Sequence, residues 1–307
     1  RFIGKLTIQQ FKSKPTIQKS SHEQEAKEKA QDIASRLSSV SELHLKSKPF
    51  QGTVAETYLR KERKIESASF GPDLRFIPKG TNFTYKGKQQ TIQHLTLAVF
   101  GRNEKGQLQS VQLTKLNEKG TRALSHEGEK LHKLQYGLAK GSFVTLQADK
   151  TNTRVFIAEG IETALSIKEA KVDGKIVASM GIHNMANYKG AEKQIILCAD
   201  NDTHKSASQT HKIIEETKLH LREQGKFTTK IEPINPGEDF NDVLKNQGQK
   251  GVQNYVKRYL ASETLHHKTT EIQAVKEHVP DPLANIKIVG DYLEKQFKEM
   301  KQYEGTS

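Results

Sequence analysis

The chain has 307 residues, 34% of them hydrophobic, and carries 49 Lys and Arg against 36 Asp and Glu, a formal net charge of +13. That length holds one large domain or two ordinary ones; the low apolar share and mean hydropathy of −0.72 point to long solvated stretches, and the positive excess points to polyanionic partners, nucleic acid first. No run approaches ~18 consecutive apolar residues, which excludes a membrane-spanning helix, no signal peptide is visible, and the lone cysteine, Cys198, excludes a disulfide framework and cysteine-ligated zinc.

The chain opens on Arg1 rather than Met, as a piece of something longer would. Residues 1–20 are polar and basic without a sustained period and read as a linker. From Ser21 to Val40, Ala26, Ala30, Ile33 and Leu37 recur at helical spacing, which predicts an amphipathic helix capped by Ser21 and ended before Ser47-Lys48-Pro49. In the next block Thr53–Leu59 reads as a helix, with Thr53 as cap and Glu56 completing a capping box. Thr96–Phe100 and Leu108–Leu113 read as strands joined by the hairpin loop Arg102–Gly106, and Asn117–Gly120 marks the following turn. This block is α+β and rich in lysine.

From about residue 150 strand and helix alternate. Strands are predicted at Val155–Ala158, Lys175–Ser179, Gln194–Ala199 and Lys230–Ile234, with helices at Ile161–Ala170 and His204–Glu223. Such alternation argues for βαβ units and a parallel sheet. Two short helices, Asp239–Asn246 and Gly251–Leu260, close it. Cys198 falls inside the run Ile195–Ala199 and reads as a core residue, so a reducing, cytoplasmic setting is expected. Residues 263–281 read as a second linker, ending at Pro280-Asp281-Pro282. Leu283, Ile286, Val289, Leu293, Phe297 and Met300 then predict a terminal amphipathic helix.

The chemistry lies where apolar runs end abruptly in acids. Arg154-Val155-Phe156-Ile157-Ala158 is followed by Glu159-Gly160-Ile161-Glu162, and Leu197-Cys198-Ala199 by Asp200-Asn201-Asp202. Residues just past parallel strands lie at the carboxyl edge of the sheet, where such folds bind ligands. Gly160 is expected to permit the tight turn there. Glu159 and Glu162 stand one helical turn apart; they serve either a cation or the positive end of a helix dipole. Asp200 and Asp202 serve either a metal or an Asx-type turn. Pro236-Gly237-Glu238-Asp239-Phe240-Asn241-Asp242 follows the last strand, and Asp239 or Asn241 is equally placed to cap a helix. Three acidic clusters after successive parallel strands converge by sheet geometry, and clustered carboxylates suit Mg2+.

These segments resemble the Toprim domain of bacterial-type primases, topoisomerases and some nucleases, through Val155–Ser166 and Asp200-Asn201-Asp202. Pro236–Leu244 is similar to the form found in phage, plasmid and mobile-element primases. Gly52–Leu59, Asp73–Pro78 and Val111–Leu116 resemble segments that precede it in plasmid primase-like proteins, modules often fused to conjugative relaxases. The resemblance covers residues 50–260. It implies an α/β fold: a four-stranded parallel Toprim sheet with flanking helices at 150–262, a basic α+β subdomain at 49–149, a linker and helix at 1–48, and a linker and C-terminal helix at 263–307.

The resemblance also implies Mg2+-dependent nucleotidyl transfer, or Mn2+ in its place, with primers made on single-stranded DNA from nucleoside triphosphates during plasmid replication or conjugation. Glu159 is then the catalytic acid/base and a metal-poising carboxylate. Asp200, Asp202 and Asp239 hold the metal, supported by Glu162, Asn241 and Asp242. Arg75, Lys115, Lys133 and Lys140 are candidates for holding nucleotide or nucleic acid. The partners implied are DNA, nucleotides and further domains of a longer polypeptide. An inactive DNA-binding accessory of a relaxase and a Toprim nuclease are the alternatives. The chain departs from the family in lacking cysteines for a primase zinc domain and a tyrosine in a topoisomerase-like context. It contains no Walker A motif, since Gly80 to Gly87-Lys88 has the wrong spacing. The adjacent pair His266-His267 falls in the polar stretch and reads as incidental.

Overall fold

A computed structural model describes residues 17–278 except 68, 150, 152 and 204–206, together with residue 294. The first 16 residues of the N-terminal linker and the predicted terminal helix, save residue 294, lie outside the described residues.

Helix α1 (Ile17–Lys46) is longer than its sequence pattern at both ends. Ser21 therefore lies inside it rather than at its cap. The expected apolar stripe also divides: Ala26, Ala30 and Ile33 are exposed, while Val40 and Leu43 are fully buried. Only the C-terminal turns have a sheet to pack on. At its end the Ser47 hydroxyl donates to the His44 carbonyl at 2.6 Å, and Pro49, lacking an N–H, sits in the two-residue strand β1 (Lys48–Pro49). Helix α2 (Val54–Thr57) is capped by Thr53, whose hydroxyl oxygen accepts the Ala55 N–H. Glu56 reaches back to the Gly52 N–H at 2.7 Å, one residue before the position a capping box would use. The helix then widens into a π turn over Tyr58–Glu62.

Strands β2 (Leu74–Ile77), β5 (Leu95–Arg102), β6 (Leu108–Leu116) and β7 (Leu134–Gly137) join β1 in an antiparallel sheet of order β1-β2-β5-β6-β7, while β3 (Asn82–Tyr85) and β4 (Lys88–Thr91) form a separate hairpin. The β5–β6 hairpin and the Asn117 turn stand where the sequence puts them. Alternation sets the two faces of β6: Val111 and Leu113 pack with Val40 and Leu43 of α1, and Leu116 faces the other way.

Gly137 closes β7 at φ +83°, and a Cβ there would stand 2.3 Å from the Gln109 carbonyl oxygen and 2.5 Å from a Val40 methyl. Gly137→Ala is expected to cost about 3 kcal/mol, from left-handed backbone plus overpacking, measurable as a shift of the urea midpoint without a change of slope.

The second sheet contains the four expected parallel strands, β9 (Arg154–Ala158), β10 (Lys175–Ala178), β11 (Gln194–Cys198) and β12 (Phe227–Ile231). It also contains a fifth, β8 (Val144–Gln147), which the preceding block lends to its edge antiparallel to β10; the order is β12-β11-β9-β10-β8. Strand β12 ends three residues before the predicted Ile234, because Pro233 cannot donate to a ladder and Ile234 is 68% exposed. Helices α3 (Ile161–Glu169), α4 (Ala207–Glu223) and α5 (Phe240–His278) follow β9, β11 and β12. The two predicted closing helices are one run broken at Gly248 (φ +69°, ψ −172°). Residues 263–278, assigned to a linker by their polarity, are helical, as is the His266-His267 pair; this stretch has helix formers and neither Gly nor Pro before Pro280.

Both faces of the parallel sheet are covered, as such sheets require. Val155, Ile157, Ile195 and Leu197 pack with Ile214 and Leu221 of α4. On the other face Phe156, Ile176 and Cys198 pack with Leu165 and Val252, in a cluster that continues through Phe50, Tyr58, Leu97 and Val99 of the first subdomain. The two subdomains therefore share one core, and side chains from both meet at the carboxyl edge of the parallel strands.

Candidate active site

Each acid is set by where its strand ends. Strand β9 stops at Ala158 and α3 begins at Ile161, so Glu159 and Gly160 make the turn between them. Gly160 has φ −103° and ψ 159°, which any residue adopts, and a Cβ there would meet only Glu162 Oε2 at an ordinary 3.6 Å. The tight-turn reason expected for this glycine therefore does not hold.

Glu159 is half-buried and accepts the Ile182 N–H; burial, and then the charge of Asp202, push its carboxyl above the usual range, against Lys133 and His183. Asp200 follows β11. Burial, reinforced by Asp239, Glu159, Asp202 and Asp242, pushes its carboxyl up to about 7, and its Oδ1 is buried without a hydrogen-bond partner. Asp202 accepts the Thr210 hydroxyl of α4 at 3.2 Å.

Asn201 joins the second and third acidic clusters. Its side-chain nitrogen donates to the Pro233 carbonyl at 2.9 Å, its N–H donates to the Glu238 carbonyl, and its own carbonyl accepts the Gly237 N–H. That staple holds the loop after β12 against the loop after β11. Asp239 then caps α5 in a reciprocal pair: its Oδ1 accepts the Asp242 N–H at 2.8 Å, while Asp242 Oδ2 accepts the Asp239 N–H at 3.3 Å. Burial raises the Asp239 carboxyl, helped by the charge of Asp242 and opposed by the hydrogen bond from the Asp242 N–H and by Arg63. Asp239 thus fills the capping alternative while still bordering Asp200. Asn241 is fully buried as a joint, donating to the Arg63 carbonyl and Ser166 hydroxyl and accepting from the Arg63 guanidinium.

Glu162 stands apart from this repulsive set. It is 5% exposed, pairs with Lys133 at 2.8 Å and accepts the Tyr58 hydroxyl at 2.9 Å. Burial alone would raise its carboxyl, but Lys133 and Arg63 hold it down to about 2. Arg63 donates to the Tyr58 oxygen at 2.9 Å and lies over its ring. Tyr58 and Arg63 are the side chains the sequence does not single out: Tyr58 reads as one more apolar position of a short helix, and its partner Glu162 lies 104 residues away. Opening and closing a π turn is the local trait that marks them, Tyr58 as its first residue and Arg63 just after its last, since such turns concentrate at functional sites.

Of the four cations drawn from the sequence, Lys133 is the one brought against the carboxylates. Arg75 is spent on Ser47, donating to its hydroxyl at 2.5 Å and its carbonyl at 2.9 Å. Lys115 sits on β6 opposite Thr96, where its charge acts on His94. Lys140 is exposed at the rim of two neighbouring clefts.

Among the described residues no three His, Cys, Asp or Glu side chains close into a metal cage. The donor chemistry nevertheless fits a hard divalent cation: oxygen ligands, several like charges that raise one another, and an orphaned, buried Asp200 Oδ1. Such a cation competes with the proton on Asp200. Apparent Mg2+ affinity is therefore expected to rise by up to about tenfold per pH unit below 7 and to level off above it; calorimetric titration at pH 6, 7 and 8 measures this.

Residues 154–250 match the family described as the Toprim domain. Residues 34–146 match one described as a domain of unknown function (DUF7146). No curated protein matches the chain. Among solved structures, the DnaG primase catalytic domain bound to single-stranded DNA is similar with a TM-score of 0.51 at 13% identity, over 85% of this chain and 98% of that one. The E. coli primase catalytic core is similar with a TM-score of 0.50 at 14% identity, over 73% of this chain and 80% of that one. At such identities the likeness is one of fold.

Proposed function

We propose, for a chain that carries a Toprim domain on the fold of bacterial primase cores, that it performs metal-dependent nucleotidyl transfer, joining nucleotides into short primers on single-stranded DNA. The observation that carries the reading is Asp200: a half-buried carboxylate with an orphaned oxygen, raised by four acids, at the ligand-binding edge of a parallel sheet. Asp200 and Asp202 hold Mg2+, or Mn2+, with Asp239 in support. When bound, the cation neutralises phosphate charge and supplies Lewis acidity toward the transferring phosphoryl group. Glu159, its carboxyl raised above the usual range by burial and the charge of Asp202, accepts the proton of the attacking hydroxyl. Lys133, half-buried, pairs with Glu162 and also acts on the charge of Glu159, which lessens the repulsion this edge presents to a triphosphate. The excess of lysine and arginine serves the DNA strand. The setting we infer is a plasmid or other mobile element, with the chain joined to further domains such as a relaxase.

A template-directed assay tests this: single-stranded DNA, labelled ribonucleotides or deoxynucleotides, and Mg2+ against EDTA. Short Mg2+-dependent products are expected from the wild type and none from Asp200→Ala combined with Asp202→Ala; products surviving that double substitution sink the reading. The net charge of +13 also favours a second reading, an inactive accessory that binds DNA. It predicts salt-sensitive binding that persists in EDTA with no product in any condition.

A further inference from the structure

We infer that the cleft beside Glu159 receives the nucleobase and sugar of the nucleotide whose phosphates the carboxylates handle. This rests on the proposed function and deepens it by naming the subsite that reads the nucleotide rather than its charge.

The cleft has a volume of about 630 Å³ and lies between the end of β7 and the turn after β10; Gln135, Ala139, Ile182, His183, Ala186 and Asn187 are among its lining residues. That volume falls within the range of small-molecule sites. Its link to the carboxylates is covalently short. The N–H that Glu159 accepts belongs to Ile182, and His183, the next residue, acts on the Glu159 charge. Glu159 and the cleft thus share the turn after β10, which places the cleft next to the carboxylate edge.

The chemistry of the walls suits a flat heteroaromatic ring. Ala139, Ile182 and Ala186 offer apolar surface, and Gln135 offers an exposed side-chain amide. Asn187 spends its amide nitrogen on the His183 carbonyl and the Asn184 oxygen, which leaves its own oxygen as an acceptor. Side-chain amides beside apolar surface are what proteins use against the hydrogen-bonding edge and face of a base. Exposed Lys140 adds a cation to the cleft's lining.

The wall is also built in advance. Asn184 is 6% exposed and fastens the turn with bonds to the Ser142 and Ser179 carbonyls at 2.7 and 2.9 Å, while its oxygen accepts the Gly141 N–H at 2.8 Å. Met180 is held at φ +55° and Gly181 at φ +150°. A side chain in that region costs energy that the surroundings must offset, and such residues cluster at ligand sites. The Met180 methyl is in turn seated against Gly101, where a Cβ would come within 2.3 Å of it. A preformed wall lowers the ordering cost of binding.

The test compares ATP, GTP, CTP and UTP with inorganic tripolyphosphate, which has the charge and no nucleoside, binding to the full chain in Mg2+. The wild type is expected to bind at least one nucleoside triphosphate about tenfold or more tighter than tripolyphosphate. Ala186→Phe, which fills the cleft, is expected to abolish that preference while leaving tripolyphosphate affinity unchanged. Ala139→Trp does the same from an exposed position that carries no risk to the core. Gln135→Ala is expected to change the ranking of the four bases. Equal binding of nucleotides and tripolyphosphate by the wild type, or a full preference retained in both cleft-filling variants, overturns the subsite and leaves the carboxylate reading standing. Binding of neither ligand overturns both.

Discussion

Asp200→Asn is expected to abolish Mg2+-dependent product formation and, at the same time, to make the metal-free protein more stable. The two effects have one cause. Asp200 has a buried oxygen without a partner and lies among Asp239, Glu159, Asp202 and Asp242, so its ionised form is held in place at a cost. Its carboxyl is raised to about 7 in the folded chain, against roughly 3.9 when unfolded. Between those values the folded state binds the extra proton, so stability falls as pH rises from about 4 to about 7 and the penalty is complete above 7. Asparagine removes the charge at nearly the same volume. The gain is expected to be about 2–4 kcal/mol at pH 8 and absent below pH 4, visible as a rise in Tm of roughly 5 °C or more in EDTA. Saturating Mg2+ is expected to reverse the order, because a cation that binds only the folded wild type stabilises it by mass action. A Tm that falls on substitution in EDTA would show that Asp200 is a structural carboxylate and not a metal ligand.

The parallel sheet and its acids were legible because both rest on short-range patterns. Apolar runs bounded by turn residues mark Val155–Ala158 and Gln194–Cys198, and connectivity alone puts Glu159, Asp200 and Asp239 on one edge. Three things were not legible. Strand β8 belongs by sequence to the preceding block and by hydrogen bonding to the parallel sheet, a choice set by tertiary packing. The extra length of α1 and the helical stretch to His278 arise where polar, helix-forming residues look like linker to any reading based on hydrophobic period. The cations divided for the same reason. Arg75 and Lys133 look alike as basic residues near strands, yet one is consumed by Ser47 and the other by Glu162, through pairings of residues 28 and 29 positions apart. Glu162 illustrates the limit well: one turn from Glu159, it reads as a partner in a metal cage, whereas Lys133 and Arg63 from the first subdomain balance its charge and Tyr58 donates to it.

Glu162→Gln is expected to destabilise the chain by about 3 kcal/mol or more at neutral pH, which is the scale of leaving a buried cation unpaired. Lys133 and Arg63 both act on this carboxylate, so the substitution removes the negative charge facing two cations at once; Lys133 loses its ion-pair partner, while the glutamine oxygen still accepts the Tyr58 hydroxyl and Arg63 keeps its bonds to Tyr58 and Asn241. The pH dependence runs opposite to that of Asp200. The Glu162 carboxyl is depressed to about 2 in the folded chain, below its unfolded value of roughly 4.3. Its contribution is therefore present in full above about pH 4.5 and is lost as pH falls toward 2. Wild type and Glu162→Gln should converge in urea midpoint over that window while differing clearly at pH 7. Lys133→Met alone leaves a buried carboxylate with Arg63 as its remaining cation and is expected to cost a similar amount. The double substitution should cost less than the sum, since a neutral pair leaves no buried charge facing an absent partner at this position; a coupling of about 1–3 kcal/mol in the double-mutant cycle is the expected size. Additive costs would mean that the ion pair bridging α3 and the first subdomain contributes no joint energy. In that case the shared core of Phe50, Tyr58 and Phe156 and the Asn241–Arg63 bonds hold the parallel sheet's edge against the first subdomain without help from the ion pair.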